Sequence, residues 1–275
     1  MWRVTSREGV RLACRDHGGE GPAAVLAHGL AGHAGEWDGT AAWLGRTHRV
    51  VAPDARGHGR SERRPADVSR AACVDDLAGW IELLGLAPAV VIGQSLGGHT
   101  AFLLAARRPE LVRALVVAEA APPADPDAPA TVETWLRSWP APFAGREDAL
   151  RFFGDTTWGR AWADGLERRD DGLWPAFDVD VMVASLAETS QRDYWDEWRR
   201  VSCPTLVVRA GDEGVPAELV EHMVAEAQNA SSAVAPDAGH DLHLYRPEHW
   251  REVVEPFLQK SGRRHGSGSD PERRP

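Results

Sequence analysis

The chain is predicted to be an α/β protein: a mostly parallel central sheet, helices on both faces, and a helical cap inserted before the last two strands. Three observations predict this. Short apolar, β-branched runs alternate with helical spacing from about residue 23 to 118. A Gly-x-Ser-x-Gly turn, Gly93-Gln94-Ser95-Leu96-Gly97, joins one such run to a helical pattern. A proline-rich break over 121–129 then opens a tryptophan-heavy segment before strand-like runs resume at Thr205.

The elements follow in order. Trp2–Ser6 and Val10–His17 read as strands joined at Glu8-Gly9. Ala23–Ala27 is a short buried strand ending in His28-Gly29-Leu30, and Arg49–Ala52 is another, ending at Pro53-Asp54. A glycine-punctuated loop, Asp54 to Ser61, comes next. Ser69 to Leu84 has helical spacing, with Leu77, Trp80, Ile81 and Leu84 on one face and Gly85 as its C-terminal stop. Val90-Val91-Ile92 enters the Ser95 turn, a helix runs on through Thr100–Ala106, and Val112–Ala118 is the following strand. Ala121 to Pro129 carries too many prolines for a helix or a central strand. From there to about Trp198 the pattern is helical and holds seven of the twelve tryptophans, which predicts an inserted cap. Strand Thr205–Arg209, helix Ala217–Ala227, strand Ser232–Ala235, the loop Pro236 to Asp241 and helix Pro247–Leu258 complete the core. The expected division is a core of residues 1–121 and 200–259, a cap of 122–199, and a disordered tail of 260–275 rich in Gly, Ser, Arg and Pro.

Composition bounds the function. With 43% apolar and 26% charged residues the chain reads as a globular enzyme, and 275 residues suffice for one large core. A net charge of −10 argues against nucleic-acid or anionic-membrane binding. Cys14, Cys73 and Cys203 lack any C-x-x-C spacing, so no zinc or dithiol site is expected. No apolar leader region and no 18-residue apolar run are seen, and a reduced cytoplasmic setting is expected. Abundant Ala and Arg suggest a GC-rich bacterial source.

Function gathers at the carboxyl ends of parallel strands. There lie His28-Gly29-Leu30, the Asp54 loop, Ser95 and Glu119. A serine on a tight strand-to-helix turn sits in a strained backbone beside free helix N–H groups, which makes Ser95 the candidate nucleophile. It needs a base, and histidine fits because its pKa lies near neutrality. His240, in a Gly-His turn before the last helix, is preferred to the other histidines; His243, in an apolar run, is read as a hydrogen-bonded structural residue. The orienting acid is Glu119, directly after an apolar strand where a carboxylate needs a partner, or alternatively Asp212 after strand Thr205–Arg209. The N–H groups of Leu96 and Leu30 are candidate oxyanion donors. Trp37, just past the Leu30 loop, is expected to reach the substrate pocket.

Together these pieces resemble the α/β-hydrolase superfamily over roughly residues 8 to 258. The matching motifs are His28-Gly29-Leu30, Asp54-Ala55-Arg56-Gly57-His58-Gly59-Arg60-Ser61, Gly93 to Gly98, and Ala238-Gly239-His240. The resemblance implies Ser95 as nucleophile, His240 as base, and a cap between the sixth and seventh strands. Two departures stand out. The G-x-x-D common after the penultimate strand is out of register, since Gly214 stands three residues past Gly211; Glu119-Ala120-Ala121-Pro122 looks instead like a subgroup of small esterases, with glutamate for aspartate. Gln94 stands where histidine is common and is not expected to touch the chemistry. A serine nucleophile excludes the dehalogenases of this fold, which use aspartate.

The expected function is therefore hydrolysis of a small carboxylic ester or related acyl compound, apolar or aromatic, with no metal or organic cofactor. The expected assembly is a monomer or homodimer. The same triad serves lactonases, C–C bond hydrolases and cofactor-free peroxidases, and a non-catalytic ligand-binding protein on the same fold is the rival from another class.

Overall fold

The structure is a computed structural model describing residues 1–211 and 214–263. β1 (Trp2–Arg7) and β2 (Val10–Gly18) form a hairpin whose turn residues, Glu8 and Gly9, both have positive φ. That pair of left-handed residues matches the strand twist. There follow β3 (Ala23–Ala27), α1 (Asp38–Leu44), β4 (Arg49–Asp54), α2 (Arg70–Leu83), β5 (Ala89–Gln94), α3 (Leu96–Arg107) and β6 (Val112–Ala118). The inserted segment holds α4 (Ala128–Arg137), α5 (Arg146–Phe153), α6 (Thr157–Asp164), β7 (Glu167–Arg169), β8 (Gly172–Trp174) and α7 (Val179–Gln191). α8 (Trp195–Trp198), β9 (Thr205–Ala210), α9 (Ala217–Glu226), β10 (Ala230–Ala235), α10 (Leu242–Tyr245) and α11 (Pro247–Arg263) close the chain's described part.

Eight strands make one sheet in the order β1-β2-β4-β3-β5-β6-β9-β10. β1, β2 and β4 pair antiparallel; from β4 to β10 every pairing is parallel. Strand periodicity sets the two cores. Along β5, Ala89 and Val91 face one apolar cluster while Val90 and Ile92 face the other; β6 divides Leu115 and Val117 from Val116 and Ala118 in the same way. Being covered on both faces, these strands need no polar residues, which is why they read as continuous apolar runs. β3 lies between β4 and β5, so the connections diverge to either side and leave a crevice at its carboxyl end.

α2 starts at Ser69, whose side chain accepts the Ala72 N–H, and stops before Gly85 at φ 62°. The Asp54–Ser61 loop is structural. Asp54 accepts the N–H groups of Ala34 and Arg60 at 2.7 and 2.8 Å, and the buried Arg56 grips Asp76 of α2 through two bonds of 2.7 and 2.8 Å. Breaking such a pair strands a buried charge, so Arg56→Met is expected to cost about 3–5 kcal/mol of unfolding free energy in urea melts. A change under 1 kcal/mol would contradict that role.

The insertion has its own apolar cluster, with Leu136, Trp139, Phe143, Phe153, Trp162 and Met182 at its heart. Trp135, Trp139 and Trp162 meet edge to face at 5.2–5.5 Å. Two expectations need correction. The insertion is not wholly helical, because β7 and β8 form an antiparallel hairpin. Trp198, read as part of the cap, instead packs against Phe102 of α3 and donates Nε1–H to the Met223 carbonyl in the main core. The apolar run gave no sign of which cluster it would join. β10 begins at Ala230, earlier than its alternation indicated, and α11 runs past Leu258 to Arg263. The remaining tail, 264–275, lies outside the described residues. All three cysteines are free, and among the described residues no helix is long and apolar enough to cross a membrane.

Candidate active site

Ser95 sits between β5 and α3 with φ 51° and ψ −123°, a conformation that L-residues rarely adopt. The neighbouring backbone leaves no choice. A Cβ on Gly93 would run into the Gly97 carbonyl, and one on Gly97 into the carbonyls of Ala27 and His28 at the end of β3. Ser95 N–H is held by the Ala118 carbonyl at 2.8 Å. The residue is partly exposed.

Glu119 follows β6 in a second left-handed residue, φ 51°, with its N–H on the Val208 carbonyl at 3.0 Å. Its side chain is 2% exposed. Oε1 accepts the Ala210 N–H at 2.6 Å, Val215 N–H approaches both oxygens, and Oε2 lies 3.3 Å from His240 Nδ1. A side chain on Gly214 would displace that carboxylate. Asp212, the alternative acid, lies outside the described residues. The carboxylate as acceptor fixes Nδ1 of His240 as the donor and leaves Nε2 to act as a base. The ring is 57% exposed, with its Nδ1 edge turned to the buried carboxylate. Desolvation pulls the His240 pKa down, but the Glu119 hydrogen bond and the Asp241 and Glu119 charges outweigh it, leaving the pKa above the ordinary histidine value.

Among the described residues no hydrogen bond joins Ser95 Oγ to His240. The two are linked through Gln94, which is 1% exposed. Its amide donates to the His240 carbonyl at 3.0 Å and to Asp241 Oδ1 at 3.2 Å. Asp241 Oδ2 in turn accepts Nε1–H from Trp158 at 2.7 Å and Trp162 at 3.2 Å, tying the His240 loop to α6 of the insertion. Gln94, which nothing in the sequence connects with the site, holds the His240 loop: its side chain leaves the end of β5 toward that loop. Neither Gln94 nor Asp241 could be recognised beforehand, since their partners are about 150 and 80 residues away in sequence. Gln94→Leu is expected to lower kcat about 10- to 100-fold with KM little changed, because a misplaced base costs rate rather than binding. An unchanged kcat would remove Gln94 from that role.

The His28 loop closes the other side. Ala55 N–H donates to His28 Nε2 at 2.9 Å, so Nδ1 carries the proton and gives it to the Gly29 carbonyl at 2.7 Å. A Cβ on Gly29 would stand 3.3 Å from Ser95 Cβ, so this backbone comes up against the serine. Leu96 is the first residue of α3, and its N–H has no intrahelical acceptor. Leu30 N–H also lacks an acceptor among the described residues, while the Leu30 side chain packs on the apolar cluster of the insertion.

Two further expectations are corrected. Trp37 is fully buried below the sheet, stacked on His243 at 4.1 Å and near Trp250, so it does not line a pocket at Ser95. The 3-10 turn Ala34–Trp37 rotates the indole inward to fill the core. His243 has neither ring nitrogen hydrogen-bonded among the described residues, and burial holds it neutral, with a pKa down to about 4.

Residues 24–255 match the Alpha/beta hydrolase family, and the chain belongs to it. Over 103 residues it is 46% identical to the sn-1-specific diacylglycerol lipase of Mus musculus, covering 37% of this chain and 33% of that protein. The chain spans about a third of the length of the first curated relatives it matches. A non-heme chloroperoxidase of Streptomyces lividans is 30% identical over 234 residues, 78% of this chain and 83% of the relative. Among solved structures, E-2-(acetamidomethylene)succinate hydrolase superposes with a TM-score of 0.85 at 23% identity, covering 94% of this chain and 99% of that one, a likeness of fold.

Proposed function

We propose that this member of the hydrolase family is a serine hydrolase that cleaves a carboxylic ester or related acyl compound through Ser95, His240 and Glu119. The observation that carries the reading is a strained serine at the end of β5 with the Gly29 backbone against it, beside a histidine hydrogen-bonded through Nδ1 to a buried carboxylate at the end of β6. Ser95 Oγ attacks the carbonyl carbon while His240 Nε2 takes its proton. The oxyanion is received by Leu96 and Leu30 N–H groups. His240 returns the proton to the leaving oxygen, the C–O bond breaks, and an acyl-serine forms. Water, deprotonated by His240, then attacks the acyl-serine and frees the acid. Glu119 keeps Nδ1–H in place and stabilises the imidazolium. The apolar surroundings of Leu30 and the tryptophans of α4 and α6 favour an apolar or aromatic acyl group. The lipase named among the relatives acts on an ester, in keeping with this reading. The chloroperoxidase relative supports a second reading, in which hydrogen peroxide replaces water in the last step and releases a peracid.

A fluorophosphonate probe with peptide mapping, run beside p-nitrophenyl acetate and butyrate, tests the proposal. Labelling confined to Ser95 with ester turnover is the expected result. A folded protein that is neither labelled nor active would favour the ligand-binding reading, and peracid formation exceeding hydrolysis would favour the peroxidase.

A further inference from the structure

Behind the His28 loop lies a cavity of about 50 Å³, walled by α2, the start of α3 and, from the insertion, Ser185 of α7. A water needs about 10–15 Å³ of such space, so this one admits about three to five non-hydrogen atoms. Arg70, the first residue of α2, lines it and is 1% exposed. Among the described residues its guanidinium reaches only Thr100 Oγ1 and, at 3.5 Å, the Leu96 carbonyl, and Nε and Nη1 find no partner. The acids nearby are committed elsewhere. Asp76 is held by both arms of Arg56, Asp54, which also lines the cavity, accepts the N–H groups of Ala34 and Arg60, and Glu188 accepts the main-chain N–H of Arg70 and the Tyr194 hydroxyl. No ion pair to Arg70 occurs among the described residues. A buried cation without a counter-charge is costly, by several kcal/mol. His58 lines the same cavity. Its Nδ1 bonds the Arg56 carbonyl, so the proton is there, and its buried Nε2 offers an unused lone pair. Burial holds this ring neutral, with a pKa lowered to about 3, so the lone pair persists at neutral pH.

We infer that Arg70 and His58 form a binding site for a small carboxylate-type oxyanion, with Arg70 taking the charged oxygens and His58 accepting a hydroxyl on the same ligand. Glycolate and bicarbonate have that chemistry, as does a hydroxycarboxylate end of a larger molecule. A free anion and a substrate-borne carboxylate are both compatible, because Gly29 and Leu96, which flank Ser95, share the cavity wall.

The test is a thermal-melt titration of the full chain with glycolate, acetate and sulfate at constant ionic strength. Glycolate is expected to raise Tm with the logarithm of its concentration, by about 2–3 °C at tenfold excess over Kd, and the Kd drawn from that dependence is expected to be lower than for acetate. Arg70→Met removes the unpaired charge, is expected to fold, and should abolish the shift. Equal shifts with all three anions in the wild type, or an undiminished glycolate shift in Arg70→Met, would overturn the inference and leave the cavity to water. The melt needs no turnover, so it stands apart from the test of the hydrolase reading. Given turnover, competitive inhibition by glycolate assigns the site to a substrate carboxylate, and binding without a change in KM assigns it to a free anion.

Discussion

Ser95→Ala is expected to lower kcat on p-nitrophenyl esters by about five to six orders of magnitude while leaving the melting temperature unchanged. On the proposed mechanism the size follows from removing the atom that would form the acyl intermediate, after which only oxyanion donors and binding would remain to assist water. The unchanged stability follows from the structure. Ser95 is held by its backbone, through its N–H on the Ala118 carbonyl and its carbonyl under the His99 N–H, and alanine keeps both bonds and the same left-handed φ. Ser95→Gly sharpens the comparison. It should be equally inactive but more stable by about 1 kcal/mol, since glycine adopts this φ without penalty. Activity near wild type in Ser95→Ala would end the nucleophile assignment.

Glu119→Gln is expected to lower kcat by about 10³- to 10⁴-fold, because glutamine can offer an N–H to His240 Nδ1 and favour the wrong tautomer. The pH profile separates this from a general loss of structure. On the proposed mechanism the essential base is neutral His240, so kcat/KM is expected to fall as pH drops through its pKa, which lies above the ordinary histidine value. Desolvation lowers that pKa; the Glu119 hydrogen bond, the Asp241 charge and the Glu119 charge raise it. Glu119→Gln removes the Glu119 charge and the hydrogen bond to a carboxylate, so the acid limb should move to lower pH. Asp212→Asn should move neither kcat nor the limb by comparable amounts. The reverse ranking would transfer the acid's role to Asp212.

The two carboxylates illustrate how far local reasoning extends. Glu119 stands out in the sequence because an acid directly after Leu115-Val116-Val117-Ala118 cannot be well solvated. Which basic group it meets depends on β9 lying beside β6 and on the loop after β10 folding back across the strand ends, pairings between segments over 80 residues apart. Gln94 shows the opposite case. It occupies a variable position of the turn motif, and nothing in its neighbours distinguishes a bystander from a bracket. Its contact with His240 spans 146 residues.

Periodicity, turn chemistry and strained glycine-flanked motifs act over a few residues, so the sequence by itself determined the α/β class, the run of core strands and helices, and the elbow at Ser95. Side-chain burial depends on which surfaces meet, and that was decided only by the tertiary structure. It sent Trp37 into the core rather than toward a pocket, and it gave Trp198 to the main core rather than the cap. It also brought Gln94, Asp241, Trp158 and Trp162 together around the His240 loop, and it left Arg70 buried without a counter-charge. An indole, an amide or a guanidinium can satisfy many environments, and only packing across distant segments selects one.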